Sequence, residues 1–164
     1  MQSGRLQPGL ERSERRVVSA ASEAWYAAEA FWLLRTTKRR LKARGLQFVI
    51  DEALKSKATL RSGTEEAFAR LGKSIADSVI RIHPGLNRCL ERSLFTWSFL
   101  IRHGVRAEFI IAVRKYPFAS HAWVEFRGIP LTPLPRFARS PYRVILRVPT
   151  SWQASASHAG LRAS

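Results

Sequence analysis

The chain has 164 residues, 46% of them hydrophobic, with five Trp and nine Phe; this suits one folded domain with a moderate core and excludes a disordered chain. Lys and Arg number 28 against 12 Asp and Glu, a net charge of +16, so the surface attracts nucleic acid, anionic lipid or an acidic protein. A single cysteine excludes an intrachain disulfide framework and a cysteine-rich zinc site, and fits a reducing cytosol.

Residues 1–20 are polar and lack the apolar core of a secretory signal, so they read as a flexible arm. The longest apolar run, "AWYAAEAFWLL", is broken by Glu29 and falls short of the roughly 20 residues a membrane span needs. The chain is therefore expected in the cytoplasm, away from membranes. A helix is predicted from Ser22 to Ala43, with Trp25, Ala28, Phe31 and Trp32 on its apolar face and Gly45 as its stop. Its end holds the cationic cluster "KRRLKARG". The other cations are scattered, without zinc-finger spacing or a recognition-helix motif, which leaves nucleic-acid binding as an alternative reading rather than the leading one.

A second short helix is predicted over "LQFVIDEALKS". Next, Ser62 and Glu65 form a capping-box pattern ahead of Phe68, Leu71, Ile75, Val79 and Ile82, which repeat at helical spacing as core. Pro84-Gly85 ends that helix. The helix after it, Arg88 to His103, begins on the lone thiol and places Leu90, Leu94, Trp97 and Ile101 on one side. "VRAEFIIAVRK", "SHAWVEFRG" and "SPYRVILRV" are rich in β-branched and aromatic residues and read as strands; residues 151–164 read as a disordered tail. Helices first and strands second give an α+β domain over 21–150. Its helical part is 21–83, and a Cys/His core fills 84–150, in which the Cys89 helix packs on a small antiparallel sheet.

Dimensions bring the thiol and a histidine together. Fourteen helical residues from Cys89 cover about 21 Å, and a strand from Arg106 to Val113 returns by about 23 Å. The next strand then opens on His121, near the start of the Cys89 helix. The helix dipole, Arg88 and Arg92 favour a thiolate there, and a nearby imidazole can pair with it and act as general acid. A buried, inert cysteine is the alternative. A hairpin turn at Arg127-Gly128 pairs Phe126 with Ile129, so a group orienting His121 belongs at about 132–134. Thr132-Pro133-Leu134 stands there, and no acid. Thr132 and Glu125 are the substitutes considered, Glu125 being on His121's strand face but suited to pairing with an arginine. Asp51 and Asp77, the only aspartates, lie upstream in helical segments. Asn87 caps the helix or contributes to an oxyanion site, Trp123 forms core or cleft wall, and Phe118 of the "KYPFAS" loop rims the cleft. His103 is expected to be favourable as a cation at a helix carboxy-terminus. His83 and His158 converge with nothing, so no metal and no cofactor are expected.

The block "CLERSLFTWSFLIRHGVRAEFIIAVRKYPFASHAWVEFRGIPL" resembles the leader peptidase of lasso-peptide biosynthesis, within the transglutaminase-like, papain-related superfamily. The resemblance covers Pro84 to Leu131 through the "CLxRSL" helix, the Gly turn, "HAWVE" and the Gly-containing hairpin. It implies a cysteine peptidase with a Cys-His-Asp triad that removes the leader from a ribosomally made precursor. Cys89 matches the nucleophile, His121 the general base and acid, and the family's Asp falls at Pro133. The length implies the stand-alone form, working with a separate leader-binding protein and a cyclase that closes an Asp or Glu side chain onto the freed amino terminus. The departure at Pro133 leaves a weakly active or inactive scaffold of the same complex as the nearest alternative.

Overall fold

A computed structural model describes residues 20–55, 64–83, 88–133 and 142–148. The predicted arm and tail, the Ser62 of the capping box, Pro84-Gly85, Asn87 and Leu134 lie outside the described residues. Three helices precede a four-stranded antiparallel sheet: α1 Ala20–Leu54, α2 Glu65–Ile82, α3 Cys89–Arg102, β1 Ala107–Arg114, β2 Ala119–Phe126, β3 Ile129–Pro130 and β4 Arg143–Val148. This is the α+β architecture expected from the order of the segments.

The two helices predicted on either side of Gly45 form one element broken there. Gly45 adopts φ 81° and ψ 179°, a backbone state open to a residue without Cβ. Arg40 and Glu52 bridge the break with a 2.7 Å ion pair. The buried stripe of α1 is Ala30, Leu33, Leu34 and Thr37 before the break and Val49 and Ile50 after it, while Trp25 (71% exposed) and Trp32 (67%) face outward with Ala28 and Phe31. The expected aromatic face is thus corrected. Residues 24–34 are apolar nearly all round, so periodicity alone did not choose the side, and the smaller side chains pack closer to α3. In α2, Phe68, Ile75 and Val79 are buried as expected, whereas Ile82, the last residue, is exposed. A Cβ added at Gly72 would stand 2.8 Å from Leu100 Cδ2, so a glycine there sets the close approach of α2 to α3.

Ser93 to Ile101 of α3 are buried without interruption. A helix apolar on every side belongs in the middle of a fold. Phe95 and Phe99 pack with Leu34, Ile75 and Val79 in one layer of core; Leu94, Trp97 and Ile101 pack with Phe109, Val124 and Phe126 of the sheet in the other.

The strand order is β3-β2-β1-β4. β1 and β2 pair from Ala107↔Phe126 to Arg114↔Ala119, so Phe109, Val124 and Phe126 share the face toward α3, while Ile110, Ala112, His121 and Trp123 share the outer face. A bulge in β4 leaves Ile145 between the partners of Ile111 and Ala112. Arg127 (φ 51°) and Gly128 (φ 77°) form the expected two-residue turn, and Phe126 pairs with Ile129 as predicted.

Candidate active site

Cys89 is the first residue of α3, half-buried, behind Arg88 in extended conformation and without a side-chain cap. The first backbone bond of the helix runs from Arg92 N to Arg88 O, so the amides of residues 89–91 have no acceptor within the helix. One turn on, Ser93 Oγ donates to Ala122 O at 2.8 Å in a buried contact. Trp97 Nε1 donates to Ala107 O at 3.0 Å, on the neighbouring strand at the Phe126 end of the β1–β2 pair. The two tethers fix the helix against the sheet. From the Ser93–Ala122 contact, one step back along β2 reaches His121 and one turn back along α3 reaches Cys89. Thiol and imidazole therefore come to the same end of the sheet, the thiol from the helical layer and the imidazole from the outer face.

The hydrogen bond His121 makes runs between Nε2 and Pro133 O, at 2.9 Å. A carbonyl only accepts, so the bond requires the tautomer protonated at Nε2, leaving the Nδ1 lone pair to take a proton. The residue at the position of the family's acid thus meets the imidazole, but through its backbone. No hydrogen bond joins His121 to Cys89 among the described residues.

Thr132 explains how the carbonyl arrives. Leu131 N donates to Val124 O at 2.8 Å, continuing the β2–β3 ladder. The reciprocal donor, Val124 N, goes instead to Thr132 Oγ1 at 2.9 Å. The Thr132 side chain supplies the acceptor that a strand carbonyl would supply, and the chain turns there toward His121. Pro130, lacking an N–H, sits in edge strand β3 where none is needed. The Thr132 hydroxyl oxygen accepts from Val124 N, and no hydrogen bond joins it to the imidazole among the described residues.

Trp123, 9% exposed, stacks beside His121 with ring centroids 6.2 Å apart and planes 20° from parallel. Its Nε1 donates to Glu125 Oε1 at 2.7 Å, and Glu125 Oε2 lies 3.3 Å from Arg147 Nη1, which also pairs with Glu108. Glu125 is thus occupied by an arginine and an indole, and does not contact the imidazole. Phe118 (79% exposed) and Tyr116 stand on the connection between β1 and β2, which carries a cis peptide at Tyr116-Pro117.

Two ionisable groups away from this end are perturbed. Glu65, buried at the start of α2, receives Arg106 N at 2.6 Å and Arg106 Nη2 at 2.8 Å, with Arg127 at 3.7 Å. The Arg106 hydrogen bonds hold its carboxyl below the usual range. Because its carboxylate is committed to Arg106, the capping-box role read for Glu65 is replaced by a tie between α2 and the strand entry. His103 sits among Tyr26, Phe68 and Phe99, with ring centroids 4.8–5.2 Å away. Burial lowers its pKa, while Glu29, 3.1 Å from Nε2, pulls it the other way. Burial thus opposes the cation expected at this helix end, and Glu29 favours it. Sequence reasoning missed the Ser93 tether and the Glu65–Arg106 pair, each spanning 29 residues or more. Among the described residues no group of three or more His, Cys, Asp or Glu can hold a metal, and no helix is long and apolar enough to cross a membrane.

The profile described as "Transglutaminase-like superfamily" matches residues 30–147, a span that takes in α3, the sheet and most of α1. No curated protein and no solved structure matches the chain.

Proposed function

The chain belongs to the transglutaminase-like superfamily, and from that membership and the site we propose that it is a cytoplasmic cysteine peptidase that removes the leader from a lasso-peptide precursor. The observation that carries the reading is the hydrogen bond from His121 Nε2 to Pro133 O, which steadies the imidazole at the end of the sheet where the Cys89 helix begins. Cys89 Sγ gives its proton to His121 Nδ1 and attacks the scissile carbonyl, and the amides at the start of α3 stabilise the resulting oxyanion. The imidazolium returns its proton to the leaving amine, which becomes the amino terminus of the core peptide. Water then releases the leader from the acyl-enzyme with His121 as base. This proton transfer requires Cys89 and His121 to come into contact with peptide bound, as catalytic hydrogen bonds commonly tighten in the complex. A separate leader-binding protein presents the precursor and a cyclase consumes the freed amine.

The purified chain, mixed with a precursor and its leader-binding partner, releases an intact leader by mass spectrometry. Cys89→Ala reduces release by at least about 10³-fold while leaving the circular-dichroism spectrum unchanged. Equal cleavage by Cys89→Ala overturns the peptidase reading. The neutral carbonyl at Pro133 favours one second reading, a slow enzyme or scaffold. A carbonyl orients the ring but lacks the charge with which a carboxylate stabilises the imidazolium. Complex formation with the cyclase and no leader release, even at long times, selects the scaffold.

A further inference from the structure

A groove runs along the helical layer at the Arg102 end of α3, about 20 Å from Cys89 along the helix axis. Its outer part, about 520 Å³, is walled by Trp25 and Trp32; its inner part, about 280 Å³, reaches Thr37 and Ser98, and Arg40 and Arg102 line both. Two independent features mark it as built for an occupant. Trp25 and Trp32 expose about two-thirds of their surfaces one above the other, seven residues apart on one helix. Such exposed indoles are over-represented at the centres of protein interfaces. At the inner end, Ser98 is 5% exposed and its Oγ has no hydrogen-bond partner. A serine within a helix ordinarily satisfies its hydroxyl on the carbonyl four residues back; this one instead lines the cavity.

Charge selects the occupant. Residues 35–44 of the same helix, "RTTKRRLKAR", hold six cations and no acid; Arg40 of these lines the groove, and the others add to the positive field around it. Glu52 holds one side of Arg40 at 2.7 Å, and Glu29 lies 3.9 Å from Arg102. Arg40, Lys55 and Arg102 line the groove against Glu29 and Glu52, and the buried Ser98 hydroxyl beside them is a donor without an acceptor. We propose that this groove docks an acidic amphipathic segment of a partner protein, whose apolar side chains cover Trp25 and Trp32 and whose carboxylate enters between Arg40 and Arg102 to accept from Ser98. The site stands apart from Cys89, so its occupancy is measurable without any cleavage assay.

The probe is a fluorescein-labelled synthetic peptide with leucine on one helical face and glutamate on the other, titrated with the full chain and followed by anisotropy. The glutamate peptide binds, its glutamine counterpart binds at least about tenfold more weakly, and added salt weakens the former. The Trp25→Ala, Trp32→Ala double variant weakens binding about tenfold or more. Ser98→Ala weakens it severalfold while the melting temperature stays or rises, because a buried unsatisfied hydroxyl has been removed; a purely packing role for Ser98 would leave binding untouched. Equal affinity for the glutamine peptide, or binding indifferent to both variants, overturns the proposal. So does displacement of the peptide by generic duplex DNA, which would make the cationic run a nucleic-acid face. Self-association abolished by Trp32→Ala would assign the groove to a second copy, and likewise overturn it.

Discussion

The two faces of the β1–β2 pair are built from alternate residues of the same strands and do different work. The face toward α3 carries Ala107, Phe109, Ala122, Val124 and Phe126, all buried against the helix. The outer face carries His121, Trp123, Glu125 and Glu108, joined by hydrogen bonds, ion pairs and one ring stack. One residue of slip would exchange the two sets. The inner face holds α3 in place, and that placement gives the outer-face histidine its meaning, because Ser93 ties the start of the Cys89 helix to the strand that carries His121.

The largest effect is expected on the inner face. Phe109 is fully buried and in ring contact with Trp97 at 5.8 Å. Phe109→Ala should cost about 3–5 kcal/mol in denaturant unfolding, from lost burial plus the cavity left behind. A loss under about 1 kcal/mol would mean that α3 does not seat on this sheet.

Next comes the residue that serves both faces. Thr132→Val keeps the shape and removes the acceptor for Val124 N, leaving a buried N–H unpaired at about 1–3 kcal/mol. The same change frees the turn that brings Pro133 O to His121, so leader release should slow as well. Thr132→Ser, which keeps the oxygen, should restore most of the rate. If Thr132→Val destabilises the fold but cleaves at the original rate, the carbonyl does not position the imidazole.

Purely on the outer face, Trp123→Phe removes the donor to Glu125 and trims the ring beside His121. Stability should change by less than about 1 kcal/mol. Cleavage should fall about tenfold, since a small displacement of a reacting group costs far more in rate than in folding. A fold loss larger than the rate loss would place Trp123 with the inner face.

These contrasts mark how far the sequence could be read. Alternation in "AEFIIAVR" and "ASHAWVEF" and the Arg127-Gly128 turn give both faces and the register, because side-chain period and turn chemistry are local. The position that orients His121 follows from that register, and Pro133 is where it falls. The group that acts there is a backbone carbonyl, which every residue carries and no sequence pattern can flag. The outward position of Trp25 and Trp32 on α1 is hidden from the sequence for a related reason. In an all-apolar stretch the buried side is set by tertiary packing against α3, and periodicity alone is silent.

The smallest effect belongs to the inner side and is read by pH. Glu65 has its carboxyl lowered from an ordinary 4.5, chiefly by Arg106 hydrogen bonds, and His103 is lowered from 6.5, chiefly by burial. Both shifts carry the same sign. The unfolded chain takes up the proton first as pH falls, so stability is complete above each ordinary value and is lost as pH drops toward the folded one. Melting temperature should therefore begin to fall just below about 6.5 through His103, and fall again below about 4.5 through Glu65. The groups facing His103 are Glu29 and Arg102 together with the rings of Tyr26, Phe68 and Phe99. His103→Gln should flatten the upper window and leave the lower one, whereas Glu65→Gln should do the reverse. An upper window that survives His103→Gln would mean that the aromatic surroundings of His103 do not exclude its proton, and that the helical layer tolerates charge at its centre as readily as the outer face of the sheet does.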